Sequence, residues 1–259
     1  MVYPVQNFSN DKRFLQLRSS DFVRARLFCF PYAGGTPQVF SRWVNYLPKD
    51  VELIAIRLPG RENLIGVPPY QDWETLLFDI EELIIPFLDK PYALFGHSFG
   101  GRIVFEMGLR LQRQRLACPE HVYISGCSSP ENPCQRPYLH ELSEQEFKQK
   151  LLTMAGTPEE ILKNKALMKL LEPTIRADMK LSELWRFSGE EKLNVPLTIF
   201  CGLQDEIDPP AKMDSWRKYT SRKFSCHLFN GGHFFLNHFQ SQLAHIVVSD
   251  LPVEEFIHV

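Results

Sequence analysis

No stretch of the 259-residue sequence approaches the ~18 consecutive apolar residues of a membrane span, so a helical membrane protein is not expected. Nor is one sign of charge in excess. Twenty-nine Lys and Arg stand against 31 Asp and Glu, a formal net charge of -2, which argues against binding nucleic acid by phosphate neutralisation. The first residues, MVYPVQNFSNDKRFLQL, carry no apolar segment behind a basic start, so no signal peptide is expected and a cytoplasmic protein is. The six cysteines (Cys29, Cys118, Cys127, Cys134, Cys201 and Cys226) include no CxxC pair and are expected as buried free thiols. There is no HExxH, so no metal site is expected, and no GxGxxG after a strand, so no dinucleotide. Repeats and low-complexity segments are also missing.

Apolar material is abundant. Hydrophobic residues make up 44% and aromatics 12% of the chain, with 20 Phe and 4 Trp, enough for a large core and an apolar pocket. Short apolar runs recur at Arg26–Phe30, Val51–Ile56, Tyr92–Phe95, His121–Ser125, Leu197–Cys201 and Phe224–Phe229. Most are apolar throughout, the pattern of parallel strands covered on both faces. Helical periodicity lies between them. Gly100–Arg115 sets Ile103, Met107 and Leu111 on one stripe, and Leu236–Ser249 repeats this with Phe239, Leu243 and Ile246. The alternation predicts one α/β domain over 1–259, with a mostly parallel central sheet flanked by helices.

One interval breaks the alternation. About 70 residues between Ser125 and Leu197 hold no convincing strand. Ser143 and Glu146 have the spacing of a capping box for a helix over Leu142–Gly156. Thr157 and Pro158 start a second helix that stops before Pro173, and a third runs about Thr174–Phe187. Three helices inserted here predict a lid, about 132–191, over the sheet edge where ligands of such folds bind. The alternative is a packing subdomain.

The chemistry centres on Gly96-His97-Ser98-Phe99-Gly100, a GxSxG between a strand and a helix. The serine must project from a sharp, strained turn, and side chains two residues to either side would collide there. Ser98 is therefore the candidate nucleophile. A serine hydroxyl needs a base, and such sites keep the chain order serine, acid, histidine. His233, in GGHFF just past the last strand, is the candidate base. His97, expected to turn its side chain away, and His238 and His245, on the following helix, are read as structural. After Leu197–Cys201 comes GLQDEIDPP, in which Asp205 is the first candidate acid and Asp208 the second. The acid would fix the tautomer of His233. Two N–H donors should receive the oxyanion. One is that of Phe99; the other comes from FPYAGG, with Ala33 the first choice and Tyr32 the second.

These stretches together resemble the type II thioesterases, the stand-alone α/β-hydrolases that serve nonribosomal peptide, polyketide and some fatty acid synthases. The matching segments are FPYAGG (30–35), RLPGRE (57–62), GHSFGG (96–101), IRAD (175–178), GLQD (202–205) and GGHF (231–234), in order over nearly the whole chain. The family often has His where this chain has Tyr32. The resemblance implies the α/β-hydrolase fold. It implies as substrate an acyl group held as a thioester on the phosphopantetheine arm of an acyl or peptidyl carrier protein, released as free acid either to remove aberrant acyl units or to release medium-chain acyl groups. It implies no cofactor beyond that arm. A monomer without membrane or nucleic-acid partners is expected. On the same fold, a general serine carboxylesterase or lipase, or a non-catalytic binding protein, are the rival readings.

Overall fold

The computed structural model describes residue 8 and residues 11–134, 136–154 and 156–251. The reading of the first residues as no signal peptide therefore lies largely outside the described residues. Seven strands form one sheet: β1 (Phe14–Arg18), β2 (Ala25–Phe30), β3 (Val51–Ile56), β4 (Tyr92–His97), β5 (His121–Ser125), β6 (Leu197–Gly202) and β7 (Phe224–Phe229). Their spatial order is β1-β3-β2-β4-β5-β6-β7. β1 runs antiparallel to β3 and every other pairing is parallel. The five strands from β2 to β6 are buried along their whole length, as their unbroken apolar runs predict. All six predicted strands are present. β1 is additional: an edge strand interrupted by a bulge between Gln16 and Arg18, it shows too little periodicity to be read from sequence.

The helices are α1 (Trp73–Ile84), α2 (Phe99–Arg113), α3 (Glu144–Met154), α4 (Glu159–Lys163), α5 (Lys165–Leu184), α6 (Pro210–Met213) and α7 (Gln240–Asp250). α1 is not among the predicted helices, yet its signals are there: Asp72 accepts the Thr75 N–H at 2.8 Å as N-cap, and Leu76, Ile80, Leu83 and Ile84 are buried. α2 buries Ile103, Met107 and Leu111 as expected. Arg110 in its last turn bonds Glu81 of α1 at 2.5 Å, joining two neighbouring helices. Separate apolar clusters include Phe28, Leu94 and Ile124 in one, and Leu27, Phe95 and Tyr123 in the other. Neighbouring residues of one strand divide between them, as strand alternation requires.

Between β5 and β6 the chain forms α3, α4 and α5. The predicted capping box is present: the Ser143 N–H donates to Glu146 and the Glu146 N–H to Ser143 Oγ. The predicted stop before Pro173 is not. α5 runs through Pro173, and the break falls at Asn164, whose side chain accepts the Leu167 N–H at 3.0 Å. A proline inside a helix removes one backbone bond. Here Thr174 and Ile175, which follow the proline directly, are buried and hold the helix continuous. Phe147, Leu151, Leu162, Met168 and Ile175 belong to a small core of their own. All six cysteines are free, but only Cys29, Cys127 and Cys201 are buried. Cys118 and Cys226 are exposed and Cys134 is half-buried, against the expectation of six buried thiols.

Candidate active site

β4 delivers the chain to the middle of the sheet edge, and α2 begins at once. The residue between them, Ser98, has φ 55° and ψ -111°, a conformation that costs a non-glycine residue free energy. The turn is held by the Ser98 N–H, which donates to Ser125 O of β5 at 2.8 Å. Glycine is obligatory on both sides. A Cβ at Gly96 would lie 2.0 Å from Gly100 O, and one at Gly100 would lie 2.1 Å from Phe30 O.

His233 follows β7 and Asp205 follows β6, so adjacent strands bring both to Ser98. His233 Nε2 lies 3.0 Å from Ser98 Oγ, and His233 Nδ1 lies 2.8 Å from Asp205 Oδ2. A carboxylate only accepts, so Nδ1 carries the proton and Nε2 is free to accept from the hydroxyl. The Asp205 side chain is fully buried. Its other oxygen accepts the N–H groups of Ile207 at 2.8 Å and Asp208 at 2.9 Å, which fixes the carboxylate and leaves Oδ2 to the imidazole.

Asp208 turns elsewhere and accepts the Ser128 N–H at 3.0 Å. Burial works to raise its pKa, but Arg102, His233 and the Ser128 bonds hold it below the usual value. His245 is exposed and bonds Ser241 of its own helix. His97 does not leave the site: its ring centroid is 5.3 Å from that of His233, and its Nδ1 lies 2.8 Å from Ser125 Oγ. Burial first, and then the neighbouring His233 charge, push its pKa well below the ordinary histidine value.

The loop after β2 approaches from the other side. Among the described residues neither the Ala33 N–H nor the Phe99 N–H donates to another protein group. Gly34 N–H, next in the loop, donates to Asp178 Oδ2 of α5 at 2.8 Å. The same oxygen accepts from Arg61 Nη2 at 2.7 Å, and Arg61 Nη1 donates to Gly35 O at 2.8 Å. This buried pair ties the loop to the inserted helices. The RLPGRE and IRAD segments carry it, although reading the residues alone gave them no role. Tyr32, where the resembled family often has His, packs edge-on to Phe234 and His97 and donates to Gly156 O at 3.4 Å.

Two cavities meet at His233. The larger, about 690 Å³, is lined by Leu142, Met154, Phe234, Arg136 and Lys150 among others. The smaller, about 110 Å³, reaches Ser98, Ala33 and Arg102. Residues of the inserted segment, Met154 and Arg136, border both. Arg102, to which the sequence reading assigns no role, is buried here, and its Nε makes no hydrogen bond. Among the described residues no three His, Cys, Asp or Glu side chains are grouped to hold a metal ion, and no helix is long and apolar enough to cross a membrane. A hydroxyl, an imidazole and a carboxylate in one hydrogen-bonded series are parts that acyl transfer can use.

A family model described as "Thioesterase domain" matches residues 25–251. The chain is 34% identical over 226 residues to the gramicidin S biosynthesis protein GrsT of Aneurinibacillus migulanus, covering 87% of this chain and 88% of that protein. It is 33% identical over 216 residues to the medium-chain S-acyl fatty acid synthase thioesterase of Rattus norvegicus, covering 82% and 81%. Among solved structures, RedJ, a thioesterase from the prodiginine biosynthetic pathway of Streptomyces coelicolor, superposes with a TM-score of 0.82 at 30% identity, covering 88% of this chain and 91% of that one.

Proposed function

The chain belongs to the thioesterase family, with type II thioesterases among its relatives, and from that premise we propose that it hydrolyses acyl groups held as thioesters on the phosphopantetheine arm of a carrier protein. The observation that carries the reading is the unbroken hydrogen-bonded series Ser98–His233–Asp205 at a strained strand-to-helix turn.

His233 takes the proton of Ser98 as Oγ attacks the thioester carbonyl, and Asp205 stabilises the resulting imidazolium. The oxyanion is received by the N–H groups of Phe99 and Ala33. The tetrahedral intermediate collapses, the C–S bond breaks, and the carrier thiol leaves with a proton. Water, deprotonated by His233, then attacks the acyl-Ser98 ester and frees the acid. No resident cofactor enters this sequence. The α3–α5 segment serves as the lid. The larger cavity takes the arm, because it opens beside His233 without including Ser98, and the smaller one takes the acyl group.

The test compares an acyl-carrier thioester with the matched p-nitrophenyl oxyester, together with fluorophosphonate labelling. Preference for the thioester in kcat/KM, with label on Ser98 that is absent from Ser98→Ala, is the expected result. Preference for the oxyester by orders of magnitude would make the protein a general carboxylesterase. An unlabelled Ser98 would make it a binding protein.

A further inference from the structure

Before α3 the chain runs as a strap, residues 136–142, with one short 3-10 turn at Leu139–Glu141. Pro137, Leu139 and Leu142 of this strap line the larger cavity, which His233 and Phe234 also line. So short a turn leaves most backbone groups without regular partners, and those shielded from water need others. Two side chains of α5 supply them. Glu183 Oε1 accepts the Leu139 N–H at 2.9 Å, while Glu183 Oε2 accepts the His140 N–H at 3.3 Å and the His140 Nδ1–H at 2.7 Å. Arg136 adds an ion pair to the same carboxylate at 3.9 Å. From the other side Arg176 Nη1 donates to His140 O at 3.1 Å and to Leu142 O at 2.8 Å.

Arg176 and Glu183 stand seven positions apart, about two turns, and so share one face of α5. One takes carbonyls of the strap and the other takes its N–H groups, each through bonds to a charged group, which are the stronger kind. Both are anchored. Glu183 is buried, and Arg176 lies 4.0 Å over the Phe147 ring of α3 and donates from Nε to Glu172 Oε1 at 2.8 Å. Arg176 itself is among the lining residues of neither cavity. The bonds that join Ser98, His233 and Asp205 and hold the Asp205 carboxylate involve no residue of the strap. Loosening the clamp therefore moves a cavity wall and leaves the reacting groups in place. Binding lost equally from the ground and transition states raises KM and spares kcat.

We propose that Arg176 and Glu183 are positioning residues for the pantetheine arm: by clamping the backbone of the strap from both sides, they fix the wall along which the arm lies. The proposal rests on the reading that the larger cavity takes the arm. Its consequence is a division by substrate length. A thioester with the whole pantetheine arm lies against Pro137, Leu139 and Leu142. One cut back to N-acetylcysteamine sets fewer atoms there, and a p-nitrophenyl ester has no arm to set.

The test measures kcat and KM for butyryl-pantetheine, butyryl-N-acetylcysteamine and p-nitrophenyl butyrate with wild type, Arg176→Met, Glu183→Gln and Leu142→Trp. Arg176→Met is expected to raise KM for the pantetheine thioester roughly tenfold, with kcat and both constants of the two shorter substrates kept within about twofold. Glu183→Gln keeps an acceptor for the Leu139 N–H and should act in the same direction to a smaller degree, so the result does not depend on the arginine variant folding. Leu142→Trp keeps its backbone carbonyl for Arg176 but fills the cavity, and it too should raise KM for the pantetheine thioester. An equal loss on all three substrates in the two clamp variants, or no loss on any, overturns the positioning role. If Leu142→Trp leaves the pantetheine thioester unaffected, the arm does not lie in the larger cavity, and the proposal falls with that route. Failure of wild type to hydrolyse either thioester overturns the thioesterase reading itself, a distinct result.

Discussion

Two aspartates three residues apart share one loop, yet the structure gives them different work. Asp205 Oδ1 gathers two backbone N–H groups, one of them that of Asp208, which frees Oδ2 to hold the imidazole. Asp208 reaches Ser128 instead. Replacing Asp205 by Asn presents an amide where His233 needs an acceptor and favours the wrong tautomer. We expect kcat to fall by about 10³–10⁴-fold in Asp205→Asn. Asp208→Asn keeps an oxygen for the Ser128 N–H and should cost roughly tenfold or less. Steady-state kinetics on both variants check this, and the reverse order would move the acid to Asp208. Sequence ranks Asp205 ahead of Asp208 by its place just past the turn glycine, while the contacts that hold the carboxylate are backbone N–H groups of a turn that no side-chain pattern encodes. Ser98 and His233 were legible because tight turns leave glycines behind: Gly96 and Gly100 around the one, Gly231 and Gly232 before the other. Arg102 was not legible, since an arginine on an amphipathic helix reads as a solvated position until its surroundings are known.

At the scale of elements, the site is assembled by contacts between segments far apart in the chain. Asp178 of α5 receives Gly34 N–H and Arg61 on the same oxygen, so one carboxylate both neutralises a buried cation and fixes the loop that carries Ala33. These functions can be separated. Asp178→Asn keeps an oxygen for both donors while losing the charge. We expect a loss of about 3 kcal/mol in stability, with kcat kept within roughly tenfold. Asp178→Ala removes the acceptor as well, and kcat should fall on the order of 10²-fold with little change in KM, the signature of a displaced oxyanion donor. Thermal midpoints and kcat measured on both variants check this. Equal kcat in the two would limit Asp178 to a structural role.

The elements themselves were unevenly legible. The central strands announce themselves by apolar runs that only a sheet covered on both faces produces, whereas β1, half-buried at an edge and bulged, has no such run. The path of α5 through Pro173 departs from the stop that local propensity favours there. Burial of Thr174 and Ile175, and the bond from Thr174 Oγ1 to Gly60 O at 2.9 Å, override it.

For the molecule as a whole, the sheet's buried histidines are expected to contribute to the response to acid. His121, at the start of β5, stacks on Tyr123, and its Nε2 lies 2.8 Å from Thr198 Oγ1. Burial, opposed by Asp250 at 3.8 Å, lowers its pKa to about 4. His97 is lowered in the same direction. The unfolded chain takes up these protons near the ordinary histidine value of 6.5, while the folded chain refuses them. Between about pH 4 and pH 6.5 the unfolded state therefore binds more protons, and stability climbs as pH rises and levels off above that window. For His121 alone, moving from pH 7 down to pH 5 should cost on the order of 2 kcal/mol. Urea unfolding at the two pH values measures it. In His121→Gln, which has no proton to gain, the difference between pH 7 and pH 5 should shrink by about that amount. An undiminished difference would mean that other groups carry the acid sensitivity.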